Sequence, residues 1–273
     1  MTTTFLVVGG TGKTGRRVAD RLRERGLPVR ATSRRGAPPF DWRKRETWPA
    51  VLDGVGAVYL TYYPDLVVPE AAGDIGAFAE LAVAAGVRHL VLLSGRGEEE
   101  AEACEKLVRD AGTGWTVLRC SWFAQNFSEH FLLDGVRAGE IVLPAGAVTE
   151  PFVDVRDIAD VAVQVLTEPG HLGAVHELTG PRLLSFADAA ADISAASGRD
   201  VRYRAVSSGE FAALATAQGV PAAEVEALTG LFARVLDGRN SSLTADVERL
   251  LGRPATDFAE FARGAAATGV WAR

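Results

Sequence analysis

Short apolar runs separated by helical periodicity dominate the chain. Phe5–Val8, Val29–Thr32, Ala57–Thr61, Leu90–Ser94 and Trp115–Arg119 lack strict in-out alternation, as strands of a parallel sheet do when both faces are buried. Between them lie helical patterns: Val18 with Leu22, then Ile75, Phe78, Leu81 and Ala85 closed by Gly86, then a helix through Cys104 and Leu107. Asp157 is expected to N-cap a helix with Ile158, Val161, Ala162, Val165 and Leu166 on one face, followed by a strand at Ala174–Leu178. The order predicts an α/β protein with a doubly wound, Rossmann-like parallel sheet. From Ser185 onward the pattern is mainly helical. Ser185 caps a helix running to Gly198, Pro221 stands at N1 of one carrying Val225, Leu228, Phe232 and Val235, and Thr256 caps the last. The expected division is a sheet domain over 1–180 and a smaller helical C-terminal lobe over 181–273.

Charge narrows the range of partners. The formal net charge is −6 with the arginines scattered among acids, which opposes attraction to a phosphate backbone and excludes nucleic acid as a first expectation. Phe5–Val8 is too short to span a bilayer and no basic leader precedes it, so a cytoplasmic protein without membrane contact is expected. Cys104 and Cys120 are too few for a disulfide framework, and His89, His130, His171 and His176 include no i, i+4 pair. No metal is expected.

The chemistry begins at the first turn. Gly9, Gly12 and Gly15 follow the first strand at Gly-x-x-Gly-x-x-Gly spacing and lead into a helix. A diphosphate approaches backbone N–H groups most closely at a helix N-terminus, where a Cβ would obstruct it. Gly9, Thr11, Gly12, Lys13, Thr14 and Gly15 are therefore candidate dinucleotide-binding residues. A P-loop would need glycine where Val7 stands, which argues against a nucleotide kinase. At the end of the second strand an NAD-selective site usually carries a carboxylate. This chain has Ser33, Arg34 and Arg35 there, two guanidiniums suited to a 2′-phosphate, so NADP(H) is preferred over NAD(H).

The usual reductase dyad is missing. In Tyr-x-x-x-Lys the lysine lowers the tyrosine pKa so that the phenol can protonate a carbonyl oxygen. Here the tyrosines are 59, 62, 63 and 203 and the lysines 13, 44 and 106, and no pair has that spacing. Counting back from Gly112 places Gly97 and Ala101 at the expected positions. Candidate donors to a developing oxyanion are Ser94, Arg96, Tyr62 and Tyr63, with packing or cofactor contact as the alternative for each. The acids Glu98, Glu99, Glu100 and Glu102 suit a cationic substrate but are equally explained by a helix's first turn.

Several motifs together, Gly9-Gly10-Thr11-Gly12-Lys13-Thr14-Gly15, Phe40-Asp41-Trp42, Leu93-Ser94-Gly95-Arg96-Gly97, Leu118-Arg119 with Ser121 to Phe127, and Pro151-Phe152-Val153-Asp154 leading to Asp157-Ile158-Ala159-Asp160, resemble the NmrA-like, atypical short-chain dehydrogenase family. The likeness is closest to the branch holding the festuclavine and agroclavine dehydrogenases of ergot alkaloid biosynthesis, and it covers nearly the whole chain. It implies adenine near Asp41 and Trp42, and nicotinamide between Thr61, Tyr62, Tyr63 and Pro64, Ser94 and the segment after Arg119. Residues 121–150 would contribute to the substrate pocket, with Trp122, Phe123, Asn126 and Phe127 as its wall; core packing is the alternative for the aromatic residues.

The expected function is NADPH-dependent reduction of a small apolar cyclic imine or iminium, enone or quinone in secondary metabolism. An iminium carbon is already electrophilic and needs no general acid. The alternatives are a non-catalytic NAD(P)-binding redox sensor with a protein partner, which the lost dyad also fits, and an isomerase or cyclase that keeps the nucleotide as scaffold.

Overall fold

The computed structural model describes residues 3–272. Its elements run β1 (Thr4–Val7), α1 (Lys13–Glu24), β2 (Val29–Ala31), α2 (Trp48–Leu52), β3 (Val55–Leu60), α3 (Ala71–Ala84), β4 (His89–Gly95), α4 (Glu99–Asp110) and β5 (Gly114–Cys120). Next come α5 (Asn126–Glu129), α6 (Leu133–Ala138), β6 (Glu140–Leu143), β7 (Thr149–Glu150), α7 (Val155–Thr167), β8 (Ala174–Leu178), β9 (Leu184–Ser185) and α8 (Phe186–Ser197). The chain ends with β10 (Arg202–Ala205), α9 (Ser208–Ala217), α10 (Ala222–Val235), α11 (Asp246–Leu251) and α12 (Phe258–Ala267).

Two compact units share these elements. The first comprises the chain up to Cys120, Val155–Leu178 and Asp246–Arg253; the second comprises Ser121–Asp154, Thr179–Ala245 and the chain from Pro254. This differs from the division at 180/181 read from the sequence. Residues 121–154 leave the sheet after β5, α7 and β8 return to it, and α11 packs on α7 and β8.

The first unit is the expected Rossmann-like sheet, with six parallel strands in the order β2-β1-β3-β4-β5-β8. All six residues of β3 are buried, which is why its sequence is apolar without alternation. Helix α1 packs with α7 and α3 with α4. Winding reverses beside β1, where doubly wound sheets bind ligands. Asp157 proves not to be an N-cap. Helix α7 begins two residues earlier at Val155, and the fully buried Asp157 carboxylate is held by Arg253 Nη2 at 2.7 Å. Arg253 also binds Asp160, which takes Arg21 of α1. No helix among the described residues is long and apolar enough to cross a membrane.

At the start of β4, His89 shares a hydrogen bond with the Thr116 hydroxyl at 2.9 Å. Burial, reinforced by nearby His171, pushes its imidazole pKa down to about 4. The folded state therefore favours neutral His89, while the unfolded chain takes up a proton below about 6.5. Stability from this site is complete above pH 6.5 and is lost progressively as pH falls to about 4. After allowance for solvent screening the loss is about 1–2 kcal/mol. His89→Asn should flatten that part of a melting-temperature profile between pH 7 and 4.

In the second unit, β6 pairs in parallel with β10 and β7 antiparallel with β9. The sequence reading from Ser185 onward contained no strand. The β10 run, Arg202-Tyr203-Arg204-Ala205, is too charged to read as a buried strand and is only partly covered. Ser185 caps α8 as expected, in a reciprocal box with Asp188, and Gly198 ends it in the left-handed conformation. Pro221 stands at the N-cap of α10, one residue outside N1. The last helix is capped by Asp257 rather than Thr256. Its carboxylate accepts from the Ala259 amide at 2.8 Å and from Arg182 Nε at 2.6 Å, so a pre-formed ion pair holds the capping oxygen in place.

Candidate active site

The turn after β1 is set by contacts that only glycine permits. Gly9 has φ +73°, and a Cβ there would lie 2.4 Å from Thr61 Oγ1. A Cβ at Gly15 would stand 2.3 Å from the Gly9 carbonyl oxygen, so this glycine lets the first turn of α1 press against the loop. The Gly12 amide donates to the Gly9 carbonyl at 2.8 Å, and the Gly10 amide to Thr32 at 2.9 Å. Helix α1 starts with no side-chain cap and no acid in its first turn, and Thr11 and Gly12 are exposed. Lys13 is half-buried and Thr14 buried. The positive end of the helix thus meets the surface without a side-chain cap or an acid of its own first turn, and the residues fit a diphosphate.

Past β2, the Ser33 carbonyl accepts from the Gly36 and Phe40 amides, folding Ser33, Arg34 and Arg35 into a tight turn. Both arginines are exposed, and neither has a salt bridge among the described residues. The Arg34 guanidinium lies 5.9 Å from the ring centre of Tyr63, which is 70% exposed. No carboxylate occupies the end of β2. The loop beyond is tied down by Asp41, whose carbonyl accepts from Trp48 Nε1 at 3.0 Å. Trp42 is buried among Phe40, Trp48, Tyr62 and Phe78, and its Nε1 donates to the Thr61 carbonyl at 3.2 Å. It braces the end of β3 from behind.

The four candidate donors occupy different surroundings. The Tyr62 hydroxyl donates to Asp74 Oδ2 at 2.9 Å, and burial together with that acceptor raises its pKa, so it parts with its proton reluctantly. Tyr63 is exposed, as is the following Pro64. Ser94 is buried at the end of β4 and donates to Glu105 Oε1 at 2.7 Å. Arg96 Nε holds Glu177 Oε2 at 3.0 Å. Ser94 and Arg96 thus join one network, for Arg119 bridges Glu105 at 2.7 Å and Glu177 at 3.6 Å. Gly97 has φ +75° and Ala101 is fully buried, so the places of the usual dyad hold a turn and a core methyl.

Besides Asp74 and Glu177, two more acids that the sequence reading did not single out stand here. Glu105 is fully buried on α4 and accepts four hydrogen bonds: from Ser94, from Arg119 Nε and Nη2, and from Arg109 Nη2, each at 2.7 Å. Burial alone would lift its pKa, but the Arg119 and Ser94 bonds, the Arg119 charge and the Arg109 bond together hold it below the usual carboxylate range. Asp65, in the loop after β3, is pushed the other way, by burial and by the charge of Glu100. Its only sequence signal is position, three residues after Tyr62.

In the second unit, Trp122 packs within 6.1 Å of the rings of Phe131, Phe186 and Phe232 and stays half-buried, as do Phe123 and Asn126. Phe127 does not belong to a pocket wall. It is wholly buried against Phe152 and Phe258, and its carbonyl accepts from Trp271 Nε1 at 2.8 Å. Phe127→Ala should cost about 3–5 kcal/mol in denaturant unfolding, well above the loss for half-buried Trp122→Ala. Asp154 accepts from Gln125 Nε2 at 2.8 Å and so anchors its turn. Among the described residues no group of three or more His, Cys, Asp or Glu side chains could hold a metal ion.

No family model matches the chain. It is 34% identical to an NAD(P)H azoreductase of Xenophilus azovorans, covering 96% of this chain and 98% of that one. It is 32% identical to an agroclavine dehydrogenase of Claviceps fusiformis, covering 94% and 96%. A solved structure of an NADPH-dependent quinone oxidoreductase of Escherichia coli, complexed with NADPH, shares the fold with TM-score 0.82 at 24% identity, over 96% of this chain and 99% of that one. Fold and glycine turn define an α/β protein of the dinucleotide-binding type, and the relatives at 30% identity or more are reductases and dehydrogenases. The chain belongs to the NmrA-like, atypical short-chain dehydrogenase family of NAD(P)H-dependent oxidoreductases.

Proposed function

We propose that the protein is an NADPH-dependent reductase of small, largely apolar, conjugated acceptors serving secondary metabolism: cyclic imines or iminium ions, enones and quinones. The reading rests chiefly on the uncapped, glycine-lined N-terminus of α1 with two guanidiniums at the end of the neighbouring strand that make no salt bridge among the described residues. The first accepts a diphosphate and the second a 2′-phosphate. Bound NADPH would supply the hydride. The chain's own residues hold and orient: Gly9, Thr11, Gly12, Lys13, Thr14 and Gly15 at the diphosphate, Ser33, Arg34 and Arg35 at the 2′-phosphate, Asp41 and Trp42 toward adenine, and Thr61, Tyr62, Pro64 and Ser94 toward nicotinamide. Within the second unit, Trp122, Phe123 and Asn126 form an apolar, half-buried surface with one amide, suited to a small apolar molecule.

The acceptor class follows from what the chain does not provide. With Gly97 and Ala101 at the dyad positions, the Tyr62 proton held by Asp74 and no lysine four residues beyond Tyr63, the chain has no lysine-activated phenol of the usual kind for an ordinary ketone. Acceptors that are already electrophilic, or whose reduced form is a stabilised anion, need only alignment and exclusion of water. Quinones, which one of the similar proteins is named for, belong to this group; an azo bond, for which another is named, additionally needs a proton from water on the nitrogen that hydride does not reach. Stopped-flow absorbance at 340 nm with cyclic iminium ions, quinones, enones and azo dyes tests it. NADPH oxidation by members of this panel and none by simple ketones is expected; tight NADPH binding with no oxidation across the panel would leave the redox-sensor alternative.

A further inference from the structure

Glu105 is placed to decide what Ser94 can do. It lies one helical turn beyond Ala101 on α4 and reaches back across β4 and β5, where Ser94 and Arg119 are register partners. Its oxygens are fully subscribed: Oε1 accepts from Ser94 Oγ and Arg119 Nε, Oε2 from Arg119 Nη2 and Arg109 Nη2, all at 2.7 Å. A carboxylate that accepts four hydrogen bonds has no proton of its own to offer, and two arginines hold it ionised. The short Ser94–Glu105 bond therefore has only one polarity: the serine hydrogen points at the carboxylate. A hydroxyl has one hydrogen and two lone pairs, so Ser94 is left with acceptor capacity alone.

We propose that Glu105 is a positioning residue that turns Ser94 into a hydrogen-bond acceptor, and that Ser94 receives the carboxamide N–H of the nicotinamide rather than donating to a developing oxyanion. The inference rests on the cofactor reading above. Ser94 lies on β4, two strand spacings of about 4.8 Å from the end of β1, within the span of a dinucleotide whose diphosphate sits on the glycine turn. Ser94 lies two residues beyond Leu92, the last register partner of β3, so β4 carries it past the end of that strand. The Ser94 bond would fix the rotation of the carboxamide and with it the ring.

The test uses the full chain with NADPH and with its 3-acetylpyridine analogue, whose methyl ketone keeps the ring carbonyl but has no N–H. Calorimetric affinities are measured for wild type, Ser94→Ala and Glu105→Gln. Wild type should favour NADPH over the analogue by about fivefold to tenfold, the worth of one ordinary hydrogen bond, and Ser94→Ala should bind the two equally. Glu105→Gln should lose the preference too; folded Glu105→Gln that keeps it overturns the role of Glu105. If that variant does not fold, Ser94→Ala decides alone, since it leaves three of the four bonds to Glu105. Retained discrimination in Ser94→Ala, or equal weakening toward both nucleotides, overturns the inference, as does a fall in kcat with unchanged discrimination. Failure of both nucleotides to bind wild type would instead remove the cofactor reading itself.

Discussion

Gly12→Val is expected to raise the Kd for NADPH at least 100-fold while leaving the melting temperature within about 2 °C of wild type. Gly12 is exposed and its φ of −77° and ψ of 174° suit a branched residue, so folding has little to lose. The added Cβ would lie 3.2 Å from the Gly9 carbonyl oxygen, a contact that small shifts relieve. Its methyl groups, however, would stand over the first amides of α1, where the diphosphate needs the backbone bare. Gly15→Val should behave in the opposite way. Its Cβ would meet the Gly9 carbonyl oxygen at 2.3 Å, and main chain on both sides cannot yield. That variant should unfold at lower denaturant whether or not nucleotide is present. Paired calorimetry and thermal melts on the two variants separate the glycine that admits a ligand from the glycine that admits a helix.

The double variant Arg34→Ser/Arg35→Ser should weaken NADPH roughly 10- to 100-fold and change NADH less than about threefold. A hydrogen bond to a charged group is worth about 1.5–3 kcal/mol, and exposure of both side chains holds the pair to about the worth of one such bond. Stability should fall by no more than about 1 kcal/mol, because neither arginine has a salt bridge among the described residues and the Arg34 contact with the Tyr63 ring is exposed. Kd values for the two nucleotides, measured at one fixed ionic strength, give the answer. An equal loss for both would place the guanidiniums somewhere other than the 2′-phosphate.

The parallel sheet was legible because its strands are buried on both faces and therefore continuously apolar, and β8 at Ala174–Leu178 was read to the residue. The glycine turn was legible for a related reason: close backbone approach leaves glycine no substitute, so chemistry and spacing coincide. What escaped reading depends on partners distant in sequence. Asp157 has the composition of an N-cap, yet Arg253, 96 positions away, draws its carboxylate into the protein. Asp257 displaced Thr256 as the last cap because Arg182 fixes it. The ribbon of β6 and β10 joins segments some 60 residues apart, and nothing local in Arg202–Ala205 announces it. Glu105 resembled any acid on an exposed helix until Ser94, Arg109 and Arg119 were seen to converge on it. In the second unit a string of aromatics did not reveal which rings would be sealed in. Phe127 is wholly enclosed while Trp122 keeps part of its surface.

The central claim is that the bend after β1 seats the diphosphate of a nicotinamide dinucleotide. Titration calorimetry of the wild-type chain with NADPH and with NADH measures it directly. Saturable one-to-one heat with both, tighter for NADPH, is the predicted result. No heat from either nucleotide, with melting temperatures unmoved at saturating concentrations, would contradict it.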